Sequence, residues 1–187
     1  MNEAPAIARG GFFRRIFMRL FLAVLPDQKM KNALLALQAD LRRQGVRGRY
    51  PGPGNLHLTL AFIGEYPDPA RVLRTLQSVP YPPFSVKIGE PGRFGDLFWA
   101  GLTLPDPAYA YVALLRRALR EAGIPFDSKP FAPHVTLLRQ ADRPLPRLIA
   151  PEAEMNVRRV SLMRSERGER GMIYTEIGAA APSPSAL

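Results

Sequence analysis

Both histidines of this 187-residue chain open the same tetrad, His57-Leu58-Thr59-Leu60 and His134-Val135-Thr136-Leu137. At ordinary residue frequencies two such matches have accidental odds of roughly one in 10⁵, so the repeat reflects a shared local structure. In a β-strand, side chains two residues apart point to the same face. Each tetrad therefore predicts a half-buried strand that turns its His and Thr outward and buries its two aliphatic side chains. A fold containing both strands must cover two such aliphatic faces. If it also opposes the two polar faces, two imidazoles and two hydroxyls converge on one point.

The surroundings of the tetrads repeat as well. Residues 19–25 read as a first core strand. Asp27 is placed to cap a helix running to about Arg43, with Met30, Ala33, Leu34, Leu37 and Leu41 at helical spacing and Gly45 as its stop. The turn at 51–54 leads into the first motif strand, 55–63. Asp68-Pro69 opens a short helix with Val72, Leu73 and Leu76 inward. Residues 84–90 and 97–104 read as strands separated by 92–95. Asp106-Pro107 repeats the cap-and-proline device and opens a helix that buries Tyr111, Val112, Leu115 and Leu119 and stops at Gly123. Residues 133–139 form the second motif strand, and 157–164 with 172–177 a hairpin. Two helix-then-motif-strand units point to an internal duplication, one lobe per motif with a cleft between. The predicted organisation is an N-terminal, disordered extension over 1–17, a bilobed domain over 18–178, and a disordered tail over 179–187.

Composition narrows the chemistry. A hydrophobic content of 47% is enough for a packed core, and 22% charged residues argue against disorder. Cysteine is absent from the sequence, which removes disulfides, thiol nucleophiles and thiolate metal sites together. Two histidines are too few for a three-histidine zinc centre, so a metal would have to rest on carboxylates. A mechanism without metal or cofactor is the economical expectation. The formal net charge of +10 suits a polyanionic partner, nucleic acid first. Arginine far outnumbers lysine, which is equally the mark of a high-GC, basic proteome, and charge alone leaves the two readings even.

Arg14-Arg15 ahead of the apolar stretch 16–25 resembles a twin-arginine or secretory signal. Arg19 interrupts that stretch, and no small-residue cleavage site precedes Pro26-Asp27. The favoured reading is that 19–25 is the first strand and Met18 a natural start behind an extension. No stretch is long enough to span a membrane, and the expected location is cytoplasmic.

Paired imidazoles and hydroxyls suit attack on a phosphodiester. An imidazole titrates at about 6.5, so one copy can serve as base and the other as acid near neutrality. One accepts a proton from the attacking water and the other donates to the departing ribose oxygen. The hydroxyls of Thr59 and Thr136 can hold the non-bridging oxygens. A lone strand histidine is more often structural; two copies that use every histidine in the chain reverse that balance.

At these residues the chain resembles the RNA 2′,3′-cyclic phosphodiesterases, also called the 2′-5′ RNA ligase family, of the two-histidine phosphoesterase superfamily. The resemblance covers about residues 18–177. It rests on the opening run from Met18 to Val24, the first motif from Asn55 to Gly64, and Gly92-Arg93-Phe94-Gly95 before Trp99-Ala100-Gly101. The second motif from Phe131 to Arg139 and the closing run from Leu162 to Glu166 complete it. It implies an α+β, bilobed fold with two pseudo-symmetric lobes, each with an antiparallel sheet and helices, and an active-site cleft between them. It implies opening of a terminal 2′,3′-cyclic phosphate to leave a 2′-phosphate, with His57 as proton donor and His134 as proton acceptor. The residues themselves leave those two roles interchangeable. Departures from the family pattern are Val135 where Leu is common, the N-terminal extension and the 51–54 turn.

The resemblance also makes Arg139 a phosphate-binding candidate. It stands five residues after His134, on the opposite face of an ideal strand unless a bulge or the strand end redirects it. Arg42, Arg43, Arg47 and Arg49 form a run that either meets RNA backbone or is a solvated helix end. Phe94 is a candidate to stack on a terminal base, whereas Phe62 is expected in the core. The expected partners are RNA ends or small nucleotides carrying a 2′,3′-cyclic phosphate, with no membrane and a monomeric chain. Two alternatives share these residues: 2′-5′ joining of tRNA-like halves through the same histidines, and a non-catalytic RNA-binding module.

Overall fold

The computed structural model describes residues 16–169 and 171–183. Arg14-Arg15, nearly all of the 1–17 extension, and residues 184–187 of the predicted tail lie outside the described residues. The elements run β1 (Met18–Val24), α1 (Gln28–Arg43), a 3-10 turn (Pro53–Asn55), β2 (Leu58–Tyr66), α2 (Pro69–Gln77), β3 (Ser85–Phe94) and β4 (Leu97–Thr103). They continue with α3 (Asp106–Glu121), β5 (His134–Leu138), β6 (Glu154–Asn156), β7 (Val160–Gly168) and β8 (Gly171–Ala180).

The strands form one antiparallel sheet in the order β6-β3-β4-β5-β2-β1-β7-β8. In its middle β5 and β2 share a single registered pair, Leu58 with Val135, while each other neighbouring pair is registered over at least three residues. The sheet therefore consists of two four-stranded halves, which are the two predicted lobes. Each motif strand is the innermost strand of its half.

The helices lie on one face and tie the halves together. β1 is apolar at almost every position because both of its faces are covered. Leu20, Leu22 and Val24 join the main core under the helices, while Phe21 and Ala23 pack with Met163 on the other face. α1 follows β1 yet packs on β5 and β6 of the opposite half through a stripe that buries Met30, Leu34, Leu37 and Leu41. Each such side chain removed from water contributes about 1.5–3 kcal/mol, so this crossover holds the halves together more strongly than the lone Leu58–Val135 pair. α2 packs on α3, β7 and β8.

The duplication extends to the helix ends. Asp27 caps α1 by accepting from the Met30 amide at 2.8 Å, and Asp68 caps α2 by accepting from the Arg71 amide at 2.9 Å. α1 and α3 stop at Gly45 and Gly123, with φ of 75° and 64°, and the next amides, Val46 and Ile124, close back onto Leu41 and Leu119 at 3.0 and 2.9 Å. α3 departs from its expected cap: Pro105 occupies the cap position without a side-chain bond, and Asp106 is the first helical residue. Its carboxylate there meets the positive end of the helix dipole instead.

Three further expectations are corrected. Residues 92–94 belong to β3, and the turn sits at Gly95, whose φ is 59°. β6 was not expected, although Ala153, Met155 and Val157 are buried in alternation with exposed Glu154 and Asn156. The tail does not begin as a disordered segment at 179. Ala179 and Ala180 continue β8 opposite Ser161 and Val160, and the Ser183 amide donates to the Tyr81 carbonyl at 3.0 Å. Small residues permit that passage, since a Cβ on Gly178 would come within 2.7 Å of the Leu73 side chain on α2.

Candidate active site

His57 stands immediately before β2, and His134 is the first residue of β5. The Leu58–Val135 pair fixes how they meet. One antiparallel step to either side faces His57 with Thr136 and Thr59 with His134. Leu58, Leu60, Val135 and Leu137 are buried, while the two His and two Thr are half-buried on the opposite face. The four motif side chains thus share one face across the seam between the lobes.

The two rings are held alike. Nδ1 of His57 lies 2.7 Å from the Asn55 carbonyl oxygen, and Nδ1 of His134 lies 2.7 Å from that of Ala132. A carbonyl only accepts, so Nδ1 carries a proton in both rings and donates it, leaving Nε2 as the nitrogen free to meet a substrate. Each ring is also flanked by two aromatics. Phe21 and Tyr174 lie 4.8 and 5.2 Å from His57, with Tyr174 edge-on. Phe94 and Trp99 lie 5.4 and 6.0 Å from His134, with Phe94 edge-on. Burial pushes the His57 pKa below the ordinary imidazole value; the Asn55 carbonyl opposes this, and the positive charges of Arg139 and His134 add to it.

A bulge in each motif strand then changes which side chains share this face. In β5 the register to β4 shifts between Thr136–Trp99 and Leu138–Phe98, so Leu137 is left without a partner. Leu137 and Leu138 are both fully buried in succession. The parity reversal turns Arg139, which an ideal strand would point away, onto the face of His134 and Thr136. β2 repeats the arrangement: its register to β1 shifts at Leu60, Leu60 and Ala61 are both buried, and Phe62 takes the position equivalent to Arg139.

The carbonyl released by each bulge is satisfied from a helix. Gln38 Nε2 donates to the Leu137 carbonyl at 3.0 Å, and Arg116 Nε donates to the Leu60 carbonyl at 2.9 Å. Each donor stands ten residues after the first residue of its helix, Gln28 or Asp106. Neither donor was anticipated. The signal for Gln38 is a polar residue inside the buried stripe of α1, where it is 1% exposed.

His57, Thr59 and Arg139 line one cavity of about 510 Å³ together with Arg19, Phe21, Phe62, Glu65, Arg167 and Tyr174. Phe62 packs against the smaller core cluster of Phe21, Ala23 and Met163 and also forms part of the cavity wall, with the Arg19 guanidinium 4.7 Å above its ring. Arg19 and Arg167 add positive charge that the motifs do not announce. His134 lines a second concavity of about 330 Å³ with Glu90, Phe94, Trp99 and Tyr109. Thr136 lies on the same face opposite Trp99 but lines neither hollow. A larger concavity of about 630 Å³ between α1 and the segment around Ile149 contains no imidazole. Among the described residues no group of three or more His, Asp or Glu is placed to hold a metal ion, and no helix is long and apolar enough to cross a membrane.

The comparisons with known proteins agree with this architecture. The family model described as the 2′-5′ RNA ligase superfamily matches residues 26–169. A Thermus thermophilus protein named RNA 2′,3′-cyclic phosphodiesterase is 31% identical over 84% of this chain and 87% of its own length. An Escherichia coli protein of the same name is 33% identical over 66% of this chain and 72% of its own. Among solved structures, apo E. coli LigT superimposes with a TM-score of 0.76 at 25% identity, covering 89% of this chain and 98% of LigT. A structure from T. thermophilus gives 0.75 at 29% identity, covering 88% of this chain and 97% of that one. The doubled motif, the paired lobes and these matches together make the chain a member of the 2′-5′ RNA ligase superfamily.

Proposed function

We propose that this chain is an RNA 2′,3′-cyclic phosphodiesterase, opening a terminal cyclic phosphate to a 2′-phosphomonoester by acid–base catalysis that uses no metal. The observation that carries the reading is the matched hold on two imidazoles. Each gives its Nδ1 proton to a backbone carbonyl two residues upstream, which leaves both Nε2 atoms to exchange protons on the same face of one seam. The names of the relatives support the same substrate class.

The phosphate sits over the seam. His134 Nε2 takes a proton from water as the water oxygen bonds to phosphorus. The bond from phosphorus to O3′ breaks, and His57 Nε2 passes its proton to the departing O3′, leaving a 2′-phosphate and a free 3′-hydroxyl. Positioned proton transfer of this kind contributes about 10²–10⁴-fold. The hydroxyls of Thr59 and Thr136 and the guanidinium of Arg139 take the non-bridging oxygens as charge builds on them.

The lowered pKa of His57 in the free protein is compatible with its role as donor, because an anionic phosphate beside the ring favours the imidazolium and reverses the direction of the shift. Incubation with 2′,3′-cyclic AMP in the presence of EDTA tests the proposal. The expected product is 2′-AMP; formation of 3′-AMP, or turnover only after a divalent metal is supplied, contradicts it.

A further inference from the structure

The pseudo-two-fold relation supplies an internal control for charge. Residues 40–49, from the end of α1 to the strand edge, correspond position by position to 118–127 at the end of α3. Gly45 matches Gly123, Val46 matches Ile124, and Arg49 matches Asp127. Arg49 exchanges backbone hydrogen bonds with Arg139 at 2.7 and 2.9 Å, just as the Asp127 amide donates to the Phe62 carbonyl at 2.8 Å. The backbones are equivalent, but the charges are not. The first segment holds Arg42, Arg43, Arg47 and Arg49 against Asp40 alone, and the second holds Arg120 against Glu121 and Asp127.

The segment after Arg139 enlarges the difference. Asp142 accepts from the Arg47 amide at 2.9 Å, and the Gln44 side chain donates to the Arg147 carbonyl at 3.2 Å, so Arg143 and Arg147 are drawn onto the same surface. Asp40 and Asp142 are engaged by Arg43 and Arg143. Among the described residues Arg47, Arg49, Arg139 and Arg147 have no carboxylate partner, and all four are exposed. A helix end needs a few cations at most to match its dipole. Arginines gathered from two distant segments, leading outward from a residue on the cavity wall, exceed that need.

We propose that the RNA chain on the 5′ side of the cyclic phosphate leaves the site across this surface, with its phosphates following Arg139, Arg49, Arg47 and Arg147. The inference rests on the phosphodiesterase reading and deepens it: the substrate is an oligoribonucleotide end, and a cyclic mononucleotide forgoes the track. The equivalent surface at 118–127 does not take part.

The test compares the full-length wild type with Arg47→Glu/Arg147→Glu and with Arg120→Glu as the control on the equivalent surface. Binding of a 5′-labelled ten-nucleotide RNA ending in a 2′-phosphate is followed by fluorescence anisotropy, and turnover is measured on 2′,3′-cyclic AMP. The double variant is expected to bind the oligomer about tenfold more weakly and to lower the salt slope of log K by about 1.4. Its kcat/KM on cyclic AMP is expected to stay within about twofold of wild type, and Arg120→Glu to change neither. Unaltered oligomer binding in the double variant overturns the track, as does an equal loss in Arg120→Glu. A wild type that binds the oligomer through these arginines but turns over no cyclic phosphate leaves the track standing and removes the phosphodiesterase reading instead.

Discussion

The side-chain amide of Gln38 and the carbonyl of Leu137 are joined by a buried hydrogen bond of 3.0 Å, which satisfies the carbonyl that the bulge before Arg139 leaves without a strand partner. The same amide donates to the Pro51 carbonyl at 3.0 Å. α1 thereby ties the approach to the first motif to the bulge of the second.

Gln38→Leu keeps the volume and removes both donations. Leaving a buried acceptor unmet costs about 1–3 kcal/mol, which urea unfolding will read as a lower midpoint at unchanged slope. Because the bulge also sets the direction of Arg139, kcat/KM on 2′,3′-cyclic AMP falls as well. A variant that unfolds and turns over like wild type removes Gln38 from both roles.

Arg139→Ala separates phosphate binding from folding. The side chain is exposed and has no carboxylate partner among the described residues, so the unfolding midpoint is expected to stay put. Loss of one charge-assisted bond to the phosphate lowers kcat/KM by about 10- to 100-fold. Arg139→Lys restores part of the loss, since it keeps the charge but not the paired donors. Full activity in Arg139→Ala places the phosphate elsewhere.

The imidazole titration of His57 can be followed by proton NMR. His57 titrates below the ordinary value of about 6.5 because burial, and then the charge of Arg139, disfavour its protonated form. Removing that charge in Arg139→Ala moves the titration back upward. A donor must be protonated, so kcat/KM, which reports the free protein, declines with rising pH from below about 6.5; bound anion raises the pKa, and kcat declines at higher pH. A rate that is flat from acid to alkaline pH contradicts the acid–base pair.

Gly92 lies opposite Trp99 in the β3–β4 ladder, and a Cβ there would overlap the indole ring. Gly92→Ala therefore displaces Trp99 from its place beside His134. The expected results are a destabilisation of about 1–3 kcal/mol and a shifted His134 resonance, with that of His57 unmoved. An unchanged His134 environment shows that the indole does not position that ring.

Much of this was readable because the strands announce themselves. The period-two pattern of the tetrads fixed the shared face of His57 and Thr59 and of His134 and Thr136, and the helix spacing from Met30 to Leu41 fixed the buried side of α1. The bulges were also written in the residues, as the consecutive aliphatics Leu60-Ala61 and Leu137-Leu138 that break the alternation. Reading them would have turned Arg139 and Phe62 toward the site. The crossing of α1 to the opposite half, the seam at Leu58 and Val135, and the clustering of Arg19 and Arg167 were not readable. They depend on contacts between segments distant in the chain, which no local period encodes.

The most direct test of the central claim is turnover of 2′,3′-cyclic AMP by His57→Ala and His134→Ala beside wild type, with binding of 2′-AMP measured in parallel. Each substitution is expected to lower kcat by about 10²–10⁴-fold while binding and folding persist, since both rings are half-buried at the seam and outside the main core. Wild-type turnover in either variant would contradict a mechanism in which one imidazole gives the proton that the other must take.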